Sequence, residues 1–477
     1  MSENFELEDE GNVTSPEKAE DEEIRNFKEE PGDDDGENRH PTVHNSMLFT
    51  ALLVVKGMIG AGILNLPLIF KTFGIIGGII LSLFLTLISV TVAYLLGRSK
   101  DISQRYSFAV YSKISMGTTG CVLMKLSLFV MLSTLAIVQL IVFGDVLKGL
   151  SLLFCEINVK ILIILIAVIL LPFMFQKDIS GVTNIAHFGI IGLGIFCGCT
   201  IILFINKYLK NEIIFESNML YPKGTLKEIF TCGGGYYNAF TFHMSYFSYY
   251  LPLKPRNNKT MLNSTIIGSI ITAIVYSLYG ILFYLMYGNQ INDSALKYLQ
   301  TELFQANKNK NNFIVCVLVV CFLSFLINAS ISTMIHFYLG KSHFIGLVKF
   351  ILQKRAEKEE KKDIPLVDMN DDRKFNDDVQ SISMNKNEEV ISERKQFFIT
   401  FGLYIYVLIM AVTFDKIIIL DGFNGSTVAN YINLISPSIF YLYFSRKKKY
   451  YGEKLIALFN MAFGIGLTLM YFILRLF

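Results

Sequence analysis

The sequence predicts an all-α polytopic membrane protein with eleven transmembrane helices, and three observations lead there. Of the 477 residues, 52% are hydrophobic and 17% charged, with a mean hydropathy of +0.46, a balance too apolar for a soluble chain of this size. The apolar residues fall in runs long enough to cross the hydrocarbon core, which takes roughly 20 helical residues. Trp is absent while Phe (40) and Tyr (24) abound, so the interfacial aromatic belts must be built from Tyr and Phe.

Residues 1–45 carry acidic runs such as Glu8-Asp9-Glu10 and Asp33-Asp34-Asp35 with little apolar periodicity, which predicts a disordered acidic cytosolic tail. No basic start or early apolar run marks a cleavable signal peptide, so the first span would be its own membrane signal. Apolar runs then predict spans at about 47–71, 74–97, 119–144, 160–175, 185–206, 229–251, 262–287, 312–338, 397–414, 426–445 and 454–474. Spans 1–8 thus fill 46–339, a charged cytosolic loop with Lys354, Arg355, Lys361 and Lys362 fills 340–396, and spans 9–11 fill 397–477. A modest excess of Lys and Arg in the short loops on one side places the N-terminus in the cytosol. Sequons at Asn292-Asp293-Ser294 and Asn424-Gly425-Ser426 would sit in non-cytosolic loops. The seven scattered cysteines have no metal-ligand spacing, and free thiols are the commoner reading for Cys155 and Cys232 than a disulfide.

The chain is organised around residues 47–71. This run is long enough to span, yet it holds Gly57, Gly60 and Gly62 beside Lys56, with Pro67 downstream, so its middle is expected to leave the helical conformation. A broken helix in lipid leaves N–H and C=O groups unpaired at several kcal/mol each unless the break lines a cavity or is buried in protein. Its half-helices point a positive dipole end at anions and carbonyls at cations, which suits a zwitterion. The competing reading is an unbroken tilted helix with packing glycines. Lys56 costs roughly 2.5–3.5 kcal/mol at mid-span unless carbonyls, a carboxylate or water receive it. Lys125, near a predicted cytosolic end, can snorkel instead.

A second interruption is expected at Gly233-Gly234-Gly235 in span 6, the partner of span 1 in five-plus-five counting; alternatively these glycines form an entry loop and the helix begins at Tyr236. His243 lies at membrane depth in the same span, either as a proton relay or as a neutral hydrogen-bonded side chain. In span 8, Asn328, Ser332 and His336 are spaced four apart and share one helix face, to bind substrate or ion or to bridge helices.

At these residues the chain resembles the amino acid/auxin permease family, which includes the sodium-coupled neutral, vacuolar and proton-coupled amino acid transporters. The likeness is carried by Lys56-Gly57-Met58-Ile59-Gly60-Ala61-Gly62-Ile63-Leu64-Asn65-Leu66-Pro67. It is extended by Arg105-Tyr106-Ser107, Gly144-Asp145, Phe240-Thr241-Phe242-His243 with Pro252, and Gly425-Ser426-Thr427 with Pro437. The resemblance implies a five-plus-five inverted-repeat core of the leucine-transporter kind, with substrate at the breaks of spans 1 and 6. It further implies that Gly57, Gly60, Gly62 and Ile63 hold the amino acid, that Phe240 packs on its side chain, and that spans 3 and 8 help. Sodium-coupled relatives carry Asn where this chain has Lys56, so a fixed ammonium would replace the ion. Lys56 itself is similar to the proton-coupled branch, whose His three residues before the Lys is here Leu53.

The expected function is secondary or facilitative, sodium-independent transport of L-amino acids by alternating access. Gly57, Gly60, Gly62, Ile63, Phe240, His243, Asn328 and Ser332 would bind substrate, and Lys56 and His243 would couple an ion. The expected partners are an amino acid and the lipid bilayer, with no nucleic acid, no cofactor and no metal, and the chain is expected to act as a monomer in a plasma, vacuolar or lysosomal membrane. An alternative is an amino acid sensor signalling through the tail and the 340–396 loop. An intramembrane enzyme is disfavoured, since neither His-Glu-x-x-His nor Gly-x-Ser-x-Gly occurs.

Overall fold

The computed structural model describes residues 44–175, 180–292, 294–363, 392–414 and 417–476. Almost all of the predicted acidic tail, and residues 364–391 of the charged loop, lie outside the described residues. Described residues are helical with no strand among them; one isolated bridge joins Asn45 to Leu253.

Ser46 caps α1 (Met47–Met58), its Oγ accepting from Phe49 N at 3.2 Å. After Ile59 and Gly60 the chain takes a 3₁₀ turn, Ala61–Asn65, then enters α2 (Leu66–Ser103), with Pro67 in the first turn where its missing N–H costs nothing. α2 bends at Gly74, whose φ of +69° favours glycine and whose absent side chain would lie 2.7 Å from the Leu220 carbonyl oxygen. Here the second half of span 1 turns into span 2. Then come α3 (Phe108–Ser151), bent at Gly117, α4 (Val159–Met174) and α5 (Ser180–Leu209). A Thr225–Glu228 capping box starts α6 (Leu226–Ala239), and a 3₁₀ turn at His243–Ser245 leads into α7 (Tyr246–Tyr250). The rest comprises α8 (Asn258–Tyr287), α9 (Ala295–Lys308), α10 (Asn312–Asp363), α11 (Glu393–Thr413), α12 (Ile417–Ser426), α13 (Val428–Asn430), a π turn at Tyr431–Ile435, α14 (Ser436–Phe444) and α15 (Tyr451–Leu476).

Among the described residues, seven segments are long and apolar enough to cross a membrane: Ala61–Ser103, Phe108–Ser151, Phe188–Leu209, Asn258–Gln290, Asn312–Arg355, Glu393–Thr413 and Tyr451–Leu474. The remaining expected spans fall on shorter pieces, α1, α4, α6 with α7, and α12 to α14. α3 and α5 pack on α10, α1 and α2 on α8, and α6 on α12. Leu83, Val168 and Leu469 stay exposed on outer faces, as lipid-facing side chains do.

Three sequence expectations are corrected. Gly233–Gly235 neither break span 6 nor form an entry loop, because α6 runs straight through them and stops only after Ala239. They are smooth so that α12 can approach: a side chain on Gly425 would coincide with the Gly234 carbonyl, and one on Gly422 would lie 2.9 Å from the Thr231 carbonyl oxygen. The stretch after span 9 is likewise not a solvated loop. Asp421, Asn424 and Ser426 are buried on α12, so the Asn424 sequon is closed to a glycan, whereas Asn292 is exposed. Lys125 does not snorkel; it is fully buried, its Nζ 6.0 Å from the centre of the Phe350 ring. Cys155 and Cys232 are free thiols.

At the end that carries Arg98, Glu453 of α15 gathers α2 and α14. It accepts from Tyr94 at 2.6 Å, from Arg98 Nε at 3.2 Å and from the Tyr441 hydroxyl. Tyr111 meets Phe247, Phe440 and Phe444 edge-on, an aromatic cluster that joins α3, α7 and α14.

Candidate functional site at the paired helix breaks

α1 stops at Met58 because Gly57, Gly60 and Gly62 make the helix cheap to leave and because tertiary partners receive the freed groups. α6 stops at Ala239, with Phe240 and Phe242 outside helical backbone angles. Tyr276 of α8 links the two stops: its single hydroxyl proton is shared between the carbonyls of Met58 (2.8 Å) and Ala239 (3.1 Å). The segments touch directly as well. Side chains on Gly57 and Gly62 would meet Phe242 Cβ at 3.1 Å and Ala239 Cβ at 3.0 Å, and Gly57 also faces the Tyr249 hydroxyl at 2.9 Å. Gly60, at the break itself, faces Gln139 Nε2 of α3 at 3.9 Å. The turn starting at Ala61 has no side-chain cap. Ile63 N–H returns to the Gly60 carbonyl at 3.4 Å, and the N–H groups of Ala61 and Gly62 precede it at the start of the turn.

Lys56 lies on the other side of α1. Its Nζ donates to the Asn328 Oδ1 and, at 3.2 Å, to Ser332 Oγ, both on α10. A side chain on Gly189 of α5 would lie 3.1 Å from Lys56 Cε and 3.2 Å from Asn328 Oδ1, so glycine there makes room for the ammonium. His336, one turn further along α10, is within electrostatic reach of the same charge. The four-residue spacing in span 8 thus converges on a cation supplied by span 1. Charge-assisted hydrogen bonds of this kind contribute about 1.5–3 kcal/mol each.

Two expected residues meet other partners at the second break. His243 is buried against α2, its Nε2–H donating to the Ser89 carbonyl at 2.9 Å, and no contact joins it to Lys56. Phe240 packs edge-on against Tyr236 and Tyr276, and its carbonyl accepts from Ser89 Oγ at 3.3 Å. Ile63 is fully buried within the 3₁₀ turn. Of the predicted set, the glycines of span 1 and Lys56, Asn328 and Ser332 gather at the breaks, while His243 and Phe240 brace the second break from behind.

The profile of the family described as "Transmembrane amino acid transporter protein" matches residues 44–475, nearly the whole described chain. The chain belongs to that family. Two curated relatives from Arabidopsis thaliana are similar to it. Amino acid transporter AVT6C is 23% identical over 256 residues, half of this chain and 58% of the relative. Amino acid transporter AVT6E is 30% identical over 96 residues, 20% of each. The chain therefore spans little more than half the length of the first and a fifth of the second. As a member of a transporter family built of apolar helices, the protein is an integral, multi-pass membrane protein.

Sequence reasoning missed Tyr276, Asn65, Asn238 and Asp421 of the central cluster. Asn65 Nδ2 donates to Asp421 Oδ2 at 2.7 Å, and the Asn238 amide approaches the same carboxyl. A tyrosine in an apolar span carries no signal in an aromatic-rich chain, and Asp421 was assigned to a loop. Replacing Tyr276 by Phe removes only the hydroxyl that joins the breaks. The carbonyls of Met58 and Ala239 then lose a buried donor, and we expect a loss of about 1–3 kcal/mol. It would be read as a lowered thermal midpoint in detergent, against an unchanged or raised midpoint for Tyr279→Phe, whose buried hydroxyl has no partner to lose.

Proposed function

We propose that the protein is a secondary transporter of neutral or cationic L-amino acids that works by alternating access, independently of sodium. On this reading eleven spans form a five-plus-five inverted-repeat core, and the breaks of spans 1 and 6 hold the zwitterion. The carboxylate takes the uncapped N–H groups after Gly60 and the ammonium takes carbonyls at the helix ends. The single observation that carries it is Lys56, whose ammonium joins the interrupted first span to Asn328 and Ser332. A tethered ammonium there supplies the charge that a bound metal ion would otherwise bring between these two helices, so none need be recruited from solution. The family membership and the two similar plant amino acid transporters support the substrate class.

Purified protein in proteoliposomes tests this with radiolabelled L-amino acids at two pH values, with sodium or potassium outside. We expect stereoselective uptake of at least one neutral or cationic amino acid, unchanged when potassium replaces sodium. Absence of uptake for every amino acid would reject transport, and strict sodium dependence would reject the role given to Lys56.

A further inference from the structure

Asp421 has no part in the binding scheme above, yet it lies at the meeting point of both breaks. It sits mid-way along α12, 3% exposed. Asn65, the last residue of the turn that follows the first break, donates to it at 2.7 Å. Asn238, the penultimate residue of α6 before the second break, brings its amide to the same carboxyl and keeps its own Oδ1 buried and without a partner. Asn424, one turn along α12, is fully buried with both amide atoms unpartnered.

An ionised carboxylate taken out of water costs several kcal/mol unless a cation faces it. Among the described residues, none does: α6 presents Asn238 to it and the Ala61–Asn65 turn presents Asn65. No Lys, Arg or His of α3, α6, α13 or α15 acts on it, and the ionisable side chain within electrostatic reach is the Tyr276 phenol of α8. Two ways of neutralising the charge are a metal ion and a proton. A hard metal ion such as magnesium or calcium needs about six oxygen ligands. Here the carboxyl's neighbours point N–H groups at it, which suits an anion and repels a metal. A proton needs one acceptor for the new O–H, and the Oδ1 of Asn238, whose amide already bonds the carboxyl, is buried and without a partner.

We infer that Asp421, clasped by Asn65 and Asn238, is the site at which this transporter binds a co-transported proton. The inference rests on the transport reading above. The carboxylate takes up one proton from the side to which the site is open, and the resulting O–H donates to Asn238 Oδ1. The same proton leaves to the other side once the bundle reverses. The carboxylate form accepts from both amides and holds the two interrupted helices together. The acid form donates to Asn238 where the carboxylate accepted from it, so the two forms join the interrupted helices through different bonds, and the two conformations differ in affinity for the proton as coupling requires.

The test uses full-length protein in proteoliposomes loaded with a pH-sensitive dye, with a substrate amino acid found in the uptake screen. In wild type, substrate addition acidifies the lumen, and an inward proton gradient drives accumulation above equilibrium. Asp421→Asn should keep counterflow exchange within about threefold of wild type, since exchange needs no net proton movement, while acidification and gradient-driven accumulation fall at least about tenfold. If Asp421→Asn cannot be recovered as monodisperse protein, Asn65→Ala takes its place, and it should move the pH of half-maximal gradient-driven uptake by about half a unit or more. Gradient-driven accumulation by Asp421→Asn equal to wild type, or an unmoved pH profile in Asn65→Ala, overturns the inference. Wild-type uptake with no luminal acidification also overturns it and leaves amino acid transport standing. No uptake under any condition fails the transport reading itself.

Discussion

Lys56→Met lowers the initial rate of amino acid uptake by at least about a hundredfold while the protein stays folded. The ammonium makes two charge-assisted hydrogen bonds, to Asn328 and Ser332, that tie α1 to α10 beside the first break. At about 1.5–3 kcal/mol each their loss amounts to some 3 kcal/mol or more, and each 1.4 kcal/mol is a factor of ten. Met fills nearly the same volume next to Gly189, but Asn328 Oδ1 and Ser332 Oγ lose a buried donor, so the thermal midpoint should fall by a few degrees while the protein remains folded. The loss of uptake should far exceed the loss of stability. Initial rates in proteoliposomes, set beside thermal midpoints in detergent, make the comparison. A Lys56→Met protein that transports within about threefold of wild type would remove the ammonium from the mechanism.

Gly425→Ala has the largest expected effect on folding. Its new methyl would coincide with the Gly234 carbonyl and lie 2.9 Å from Asn238 Cβ. Backbone cannot swing aside as a side chain does, so α6 and α12 must separate. Overpacking of this kind typically costs 1–3 kcal/mol, and we expect about 3 kcal/mol or more here because the obstacle is main chain. That would be read as loss of monodisperse protein or a fall of several degrees in the thermal midpoint. Gly233→Ala is the control. Its methyl would meet Phe73 Cζ at 3.6 Å, an ordinary contact, and alanine favours a helix over glycine by roughly 0.8–1.0 kcal/mol. Equal damage from both changes would show that the triplet matters for backbone freedom and not for the close approach of α12.

These two variants mark where reading the chain succeeds and where it stops. Lys56 was conspicuous because a cation within an apolar run is costly, and Asn328 and Ser332 because polar residues four apart share a face. Each signal lies within one helix. The glycine triplet was visible too, but its meaning depended on α12, which follows it by nearly two hundred residues and which hydropathy assigned in part to a loop. The same misassignment hid Asp421. His243 could be read as a relay or as a neutral hydrogen-bonded side chain, and in the structure it turns toward the Ser89 carbonyl on α2.

Composition and the period of apolar runs were enough to establish a multi-pass helical membrane protein, because the hydrocarbon core imposes span length and internal backbone pairing on any chain that crosses it. They also located the first break, since glycines beside a lysine are a local cause with a local effect. Tertiary structure alone decided that span 6 breaks after Ala239 and not at its glycines, that Tyr276 joins the two breaks, and that Asn65, Asn238 and Asp421 form one buried cluster. Hydrogen bonds between residues 356 positions apart follow from how helices pack, and helix packing depends on which small and polar side chains happen to face each other.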